Sequence, residues 1–174
     1  MTEVFFESDY LLAKKQVKNL IIVYSVILAI FILISAGLLI WFKTLPYKSP
    51  TITIIKAIHY TITAIFVICT FIFFGIKFKR ANRYKKMCNN LLTGLREDNE
   101  AEFLRYDQRI YDKDGVDCRA LIFSEWNRFK HDYFDRKVLV LAEKPFPQFI
   151  ENKKYRFITQ GNVLVSYCEL EEEK

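Results

Sequence analysis

The parts from which most active sites are built are scarce in this 174-residue chain, which has only two histidines and four cysteines. No Gly-rich phosphate loop, no G-x-S-x-G elbow and no H-E-x-x-H helix occurs. Cys69, Cys88, Cys118 and Cys168 show neither C-x-x-C spacing nor a histidine at zinc-ligand spacing, so metal and redox motifs are unsupported. Unpaired thiols of this kind suit a reducing compartment. The carboxylate pairs Asp112/Asp114 and Asp132/Asp135 read as solvated charge in a turn and on a helix face. An EF-hand reading of the first pair fails because Gly115 is fourth from Asp112, not sixth, and no Glu occupies the twelfth position. These absences lead to the expectation of a non-catalytic protein without metal or cofactor.

Charge is missing as well, from two long stretches. Residues 20–42 are 23 uncharged positions rich in Ile, Leu and Val, about 34 Å of helix. That length crosses a hydrocarbon core of roughly 30 Å with a modest tilt. Residues 57–76 are a second uncharged run of 20, bounded by Lys56 and Lys77. A cleavable signal is disfavoured for the first run, because apolar residues continue past Ser35-Ala36-Gly37 through Phe42, beyond the usual length of a signal core.

The charge that is present is segregated. Residues 1–86 carry twelve Lys/Arg against three Asp/Glu, and residues 87–174 fourteen against seventeen. The basic balance therefore belongs to the flanks of the apolar runs, where it meets anionic headgroups. A nucleic-acid partner, which needs a basic patch on the folded domain, is not expected. Lys14, Lys15 and Lys18 precede the first run, and Lys77, Lys79, Arg80, Arg83, Lys85 and Lys86 follow the second. Positive flanks are retained on the cytoplasmic side, so both termini should be cytosolic in a multi-pass protein of the cell membrane. Trp41, Tyr47 and Tyr60 sit where an aromatic interface belt would put them.

Within the runs, Ser25 and Ala29, and Ala57, Thr61 and Ala64, recur at spacings of three and four and read as a close helix-packing seam. His59, Thr63 and Thr70 share another face of the second helix, a candidate intramembrane polar face.

The reading divides the chain into a cytosolic tail (1–18), a first transmembrane helix (19–42), a short external loop (43–56) and a second transmembrane helix (57–76). A basic juxtamembrane helix (77–96), a β-rich cytosolic domain (97–170) and an acidic tail (171–174) follow. In the domain, Leu104, Tyr106, Gln108 and Ile110 alternate with Arg105, Asp107, Arg109 and Tyr111, as in a half-buried strand. Asp112-Lys113-Asp114-Gly115 makes a hairpin turn, and residues 116–123 return. Trp126, Phe129, Tyr133 and Phe134, at i, i+3, i+7 and i+8, predict an amphipathic helix over 124–135. Residues 136–142 resume as a strand, 148–150 offer a short edge, and 154–160 and 162–170 form a last hairpin across Gly161-Asn162. The expected fold is a membrane α-helical hairpin plus a small β-rich α+β domain, an OB or SH3-like barrel.

Two readings compete for Trp126, Arg128, Phe129, Lys130, Tyr133, Arg136 and Lys137. The segment has the composition of a partner or ligand surface that stacks rings and neutralises phosphate; alternatively its aromatics plug the barrel while its charges face water. The function expected first is a membrane-anchored interaction module that docks a protein partner or a second copy at the bilayer. The layout as a whole, two spans followed by a β-rich cytosolic domain, is similar to the two-transmembrane β-strand-rich effectors of bacterial nucleotide-signalling defence. That resemblance implies a barrel sensing a small molecule, a cyclic nucleotide, and spans that then disrupt the membrane. An oligomeric channel or transporter subunit lined by His59, Thr63 and Thr70 is the third expectation.

Overall fold

The computed structural model describes residues 1–46, 49–127 and 131–170. Expectations placed on Tyr47, Arg128, Phe129, Lys130 and the acidic tail 171–174 lie outside the described residues. The chain forms two compact units, one of Lys14–Asn82 and one of Met1–Ala13 with Arg83–Lys174.

Helix α1 (Glu7–Thr44) and helix α2 (Thr51–Ile72) contain the two uncharged runs. Asp9 fixes the start of α1 by accepting the Phe6 N–H at 2.8 Å, a carboxylate on the free donors of a helix start. Its end falls two residues before Pro46, which disfavours a helical predecessor. Pro50 caps α2, with φ already set for a helix. A π-helical segment (Phe73–Phe78) follows, then α3 (Lys79–Thr93). Both apolar helices are long enough to cross a membrane, and none of their most apolar window is buried.

The α1–α2 contact is made by large rings. Phe31 stacks on Phe66 at 4.0 Å, and Tyr24 meets Phe73 at 5.2 Å and Phe74 at 4.8 Å. The Tyr24 hydroxyl lies 3.3 Å from Thr70 Oγ1. The small-residue seam expected from spacing is elsewhere: Ser25, Ala29, Ala57, Thr61 and Ala64 are all exposed. Periodicity places residues on one face without saying which face meets the neighbour, and here aromatic bulk decided it.

The other unit is a closed five-stranded barrel. Strands β2 (Glu97–Lys113), β3 (Val116–Asn127), β4 (Asp132–Leu141), β5 (Lys154–Gln160) and β6 (Val163–Glu169) follow the short N-terminal strand β1 (Thr2–Glu3). β2 pairs with β3, β3 with β4, β5 with β6, and β5 returns to β2; β4 meets β6 in parallel at Leu139 and Val163. The 17-residue β2 serves both ends of the closure, its first half on β5 and its second on β3. Irregularities between Phe103 and Arg105 and between Asp107 and Ile110 bend it, as bulges do at barrel corners. They also break the alternation read from sequence, so Ile110 is 70% exposed. β1, inside the segment expected as a tail, pairs with β6 and brings Phe5 into the core.

Both turns read from local chemistry are present. Asp114 and Gly115 take φ of 55° and 79°, and Gly161 and Asn162 take 52° and 68°, two consecutive positive values as type I′ hairpins need. The helix expected over 124–135 is not: Trp126 lies opposite Tyr133 and Ser124 opposite Asp135 in an antiparallel hairpin. Cross-strand pairing brings together Trp126 and Tyr133, two of the aromatics that helical spacing would have gathered, and puts Phe134 opposite Glu125 on the other face. The expected edge at 148–150 is not a strand either. Its backbone bonds to tyrosine hydroxyls, with Phe149 N–H donating to Tyr106 at 2.6 Å and Ile150 N–H to Tyr155 at 3.0 Å.

Two cores result. Phe103, Phe123 and Phe157 fill the barrel with Leu121, Val138, Val140 and Phe149. On the opposite face of the same strands, Cys118, Leu141, Val163 and Val165 pack under Met87, Cys88 and Leu91 of α3 and Ala13 of α1.

Candidate functional site: the uncovered face of the β3–β4 hairpin

The strand face that carries Cys118 and Leu141 continues along β3 and β4 as the pairs Ile122 with Lys137, Ser124 with Asp135 and Trp126 with Tyr133. Side chains two apart share a face, so one sheet surface is covered by helix at one end and, among the described residues, open at the other. At the open end Trp126 is 46% and Tyr133 65% exposed. Their rings meet edge to face at 4.9 Å, and the His131 ring lies 6.3 Å from the indole. Phe134, on the other face, is exposed too. The expectation that Trp126 and Tyr133 plug the barrel is therefore corrected: the interior is already full of phenylalanine.

Below the aromatic pair a cleft of about 380 Å³ opens between β2, β3 and β4, floored by Ile122. Arg105, Arg109 and Lys137 bring three cations to it. Arg105 Nη2 lies 3.6 Å from Asp135 Oδ2. The Tyr111 hydroxyl donates to Asp107 at 2.5 Å, and Lys137 Nζ donates to that hydroxyl at 3.4 Å while sitting 5.0 Å above the tyrosine ring. The Tyr111 hydroxyl, then the Arg109 N–H, hold the Asp107 carboxyl below its ordinary range. The cleft is thus a lattice of matched charges and rings, able to bind a polar partner by exchanging these pairings. Sequence reading missed Arg105, Arg109 and Tyr111, because an uninterrupted alternation gives no sign of the bulges that gather them.

Arg136 belongs elsewhere. It points to the barrel side, with 13% of its side chain exposed, and binds Glu125 at 2.7 Å and Glu97 at 3.0 Å. Its guanidinium lies 6.0 Å from the Phe157 ring centroid. Its role is structural: it stoppers the barrel mouth over the aromatic core.

The carboxylate pairs serve turns and strands. Asp112 Oδ1 accepts the Gly115 N–H at 2.7 Å, Asp132 Oδ1 accepts the Tyr133 N–H at 2.8 Å, and Asp135 faces Arg105. Among the described residues no group of three His, Cys, Asp or Glu is arranged to hold a metal ion. The four thiols are unpaired. Burial pushes the Cys88 and Cys118 thiols up to about 11, so both are neutral and unreactive near pH 7.

In the helical unit Trp41 and Tyr60 are exposed, as are Lys77, Lys79 and Arg80. In the barrel unit Arg83 and Lys86 are exposed and Lys85 is half-buried. Thr63 donates to the His59 carbonyl at 2.8 Å, a back-bond to its own helix. Thr70 meets Tyr24, and His59 Nδ1 is buried without a partner among the described residues. These three polar residues are half-buried within the hairpin; His59 lines a small cleft of about 150 Å³ with Leu38, Phe42, Ile55 and Tyr60, which Thr63 and Thr70 do not reach.

No protein-family model, curated protein or solved structure matches this chain.

Proposed function

We propose that the protein is a membrane-anchored docking module, with α1 and α2 crossing the bilayer as a hairpin and the barrel holding a protein partner on the cytosolic side. The apolar helices with no buried window and the six cations that follow the second run support the anchor and its orientation. The strand order, with β2 shared between two partners and β4 meeting β6 in parallel, supports an OB-class barrel, whose hosts use the equivalent strand face for binding. The reading rests above all on one observation: Trp126 and Tyr133 are exposed on one face of the β3–β4 hairpin while Phe103, Phe123, Phe149 and Phe157 are buried inside the barrel. Exposed Trp and Tyr flanked by Arg are the residues that dominate protein interfaces.

A photo-crosslinking amino acid replacing Tyr133 in the full-length protein, expressed in its native cells, tests this. The expected result is one discrete protein adduct, lost on Trp126→Ala while the barrel melts at an unchanged temperature. A folded, membrane-bound protein that forms no protein adduct contradicts the proposal.

The cleft of Arg105, Arg109 and Lys137 beside Tyr111 supports a second reading. Its cations and ring suit a phosphorylated ring compound, consistent with an effector gated by a cyclic nucleotide. Calorimetry with a panel of cyclic nucleotides should then give micromolar binding, weakened by Lys137→Gln; absence of heat removes this reading.

A further inference from the structure

A second open cleft, of about 570 Å³, lies between α3 and the β2–β3 turn, within the barrel unit. Arg83, Lys86 and Asn90 line one wall, at the three- and four-residue spacings that share a helix face. Asp112, Asp114 and Gly115 line the other. Among the described residues no ion pair joins the cations of one wall to the carboxylates of the other. Gly115 is set by its backbone and leaves room for Arg83. Its φ of 79° is left-handed, and a Cβ there would collide with the Arg83 guanidinium, so the bare turn is what lets Arg83 lie along the cleft. Asp112 spends one oxygen on the Gly115 N–H; its other oxygen remains available to a ligand along with Asp114.

A lone anion would meet two carboxylates here, and a lone cation an arginine and a lysine. The ligand that suits both walls carries an anion and a hydrogen-bonding cation a few bonds apart. By sequence, Arg83 is five residues past Phe78, about 7.5 Å of helix, which is headgroup depth if the preceding run crosses a bilayer.

We propose that this cleft binds the headgroup of a zwitterionic phospholipid with a primary ammonium, of the phosphatidylethanolamine class. Arg83, Lys86 and Asn90 hold the phosphate, and Asp112 and Asp114 accept N–H bonds from the ammonium. Choline headgroups lack those N–H donors, and glycerol headgroups lack the cation. The proposal rests on the membrane reading above, and identifies the lipid that would seat the barrel against the bilayer.

Native mass spectrometry of the full-length protein in detergent, offered equal amounts of ethanolamine, choline and glycerol phospholipids with identical chains, tests it. Ethanolamine lipid adducts should exceed each of the others by about tenfold, as expected for charge-assisted hydrogen bonds. Asp112→Asn with Asp114→Asn keeps an acceptor for the Gly115 N–H and should abolish that preference. Arg83→Gln with Lys86→Gln should lose all three lipids. Equal adducts of the three lipids on the wild-type protein, or an unchanged preference in the Asp variant, overturns the proposal. Soluble glycerophosphoethanolamine separates the two ideas. If it displaces the lipid adduct while the protein fails to float with vesicles, the cleft stands and the anchor falls; if the protein floats and lipid adducts are equal, the reverse holds.

Discussion

The helical hairpin and the barrel use the same apolar residues in opposite ways. In the barrel Phe103, Phe123 and Phe157 are completely buried, whereas on the hairpin Leu33 is 72% and Phe71 75% exposed. At roughly 25 cal/mol per Å² of apolar surface, the barrel gains its stability by removing that surface from water within one chain. The hairpin leaves it outside, as the proposed bilayer setting requires. Polar atoms divide the same way. On the barrel Arg136 pairs with Glu125 and Arg156 with Asp98, while helix hydroxyls turn back on their own backbone, as Ser25 does to Ile21 at 2.9 Å and Thr61 to Ala57 at 2.9 Å.

That contrast can be broken from either side. Phe123→Ala empties the barrel centre and should cost about 3–5 kcal/mol of barrel stability, read by denaturant unfolding of the detergent-solubilised chain, with the hairpin's helicity unchanged. Leu33→Arg should penalise membrane insertion by about 2.5–3.5 kcal/mol, read as the inserted fraction in a translocation assay, and leave barrel unfolding untouched. Equal sensitivity of the barrel to both substitutions would erase the distinction. Arg136→Met removes the cation at the barrel mouth and leaves Glu125 partly buried without its partner; a loss of about 2 kcal/mol is expected, since the site is not fully desolvated.

Alkali sharpens the comparison further. The Cys88 and Cys118 thiols ionise near 11 in the folded barrel against an ordinary value near 9, chiefly through burial. A raised acid favours the folded state while it stays protonated, so this contribution is complete below pH 9 and fades as pH rises to 11. Burial raises the Tyr84 hydroxyl in the same direction. The barrel's melting temperature should fall across that window, and Cys88→Ala should make the fall shallower. The smallest effect belongs to Arg156, whose bidentate contacts, Nη2 to Asp98 Oδ2 at 2.6 Å and Nε to Oδ1 at 3.0 Å, are solvent-exposed. Arg156→Gln should leave the barrel's melting temperature almost unchanged.

How far the sequence could be read follows the range of the forces involved. The turns at Asp114-Gly115 and Gly161-Asn162 were legible because positive φ is a local demand with a short list of residues that meet it. The apolar helices were legible because length and the absence of charge are properties of the run itself. The 124–135 segment reads as a helix because Trp126 and Tyr133 satisfy a helical spacing and a hairpin pairing equally well, and only partners across the sheet choose between them. The bulges of β2, the pairing of β1 with β6 and the Tyr24–Phe66–Phe73 seam all depend on residues distant in sequence. The candidate site was half legible for the same reason: Trp126, Tyr133 and Lys137 come from one hairpin, whereas Arg105, Arg109 and Tyr111 reach it only through a bent neighbouring strand.

The claim beneath the rest is that α1 and α2 reside in a bilayer. Flotation of the full-length protein with lipid vesicles through a density gradient, in high salt to strip surface electrostatics, tests it directly. The expected result is that the protein rises with the vesicles and leaves them only when detergent is added. Recovery of a folded, dispersed protein at the bottom of the gradient would contradict it.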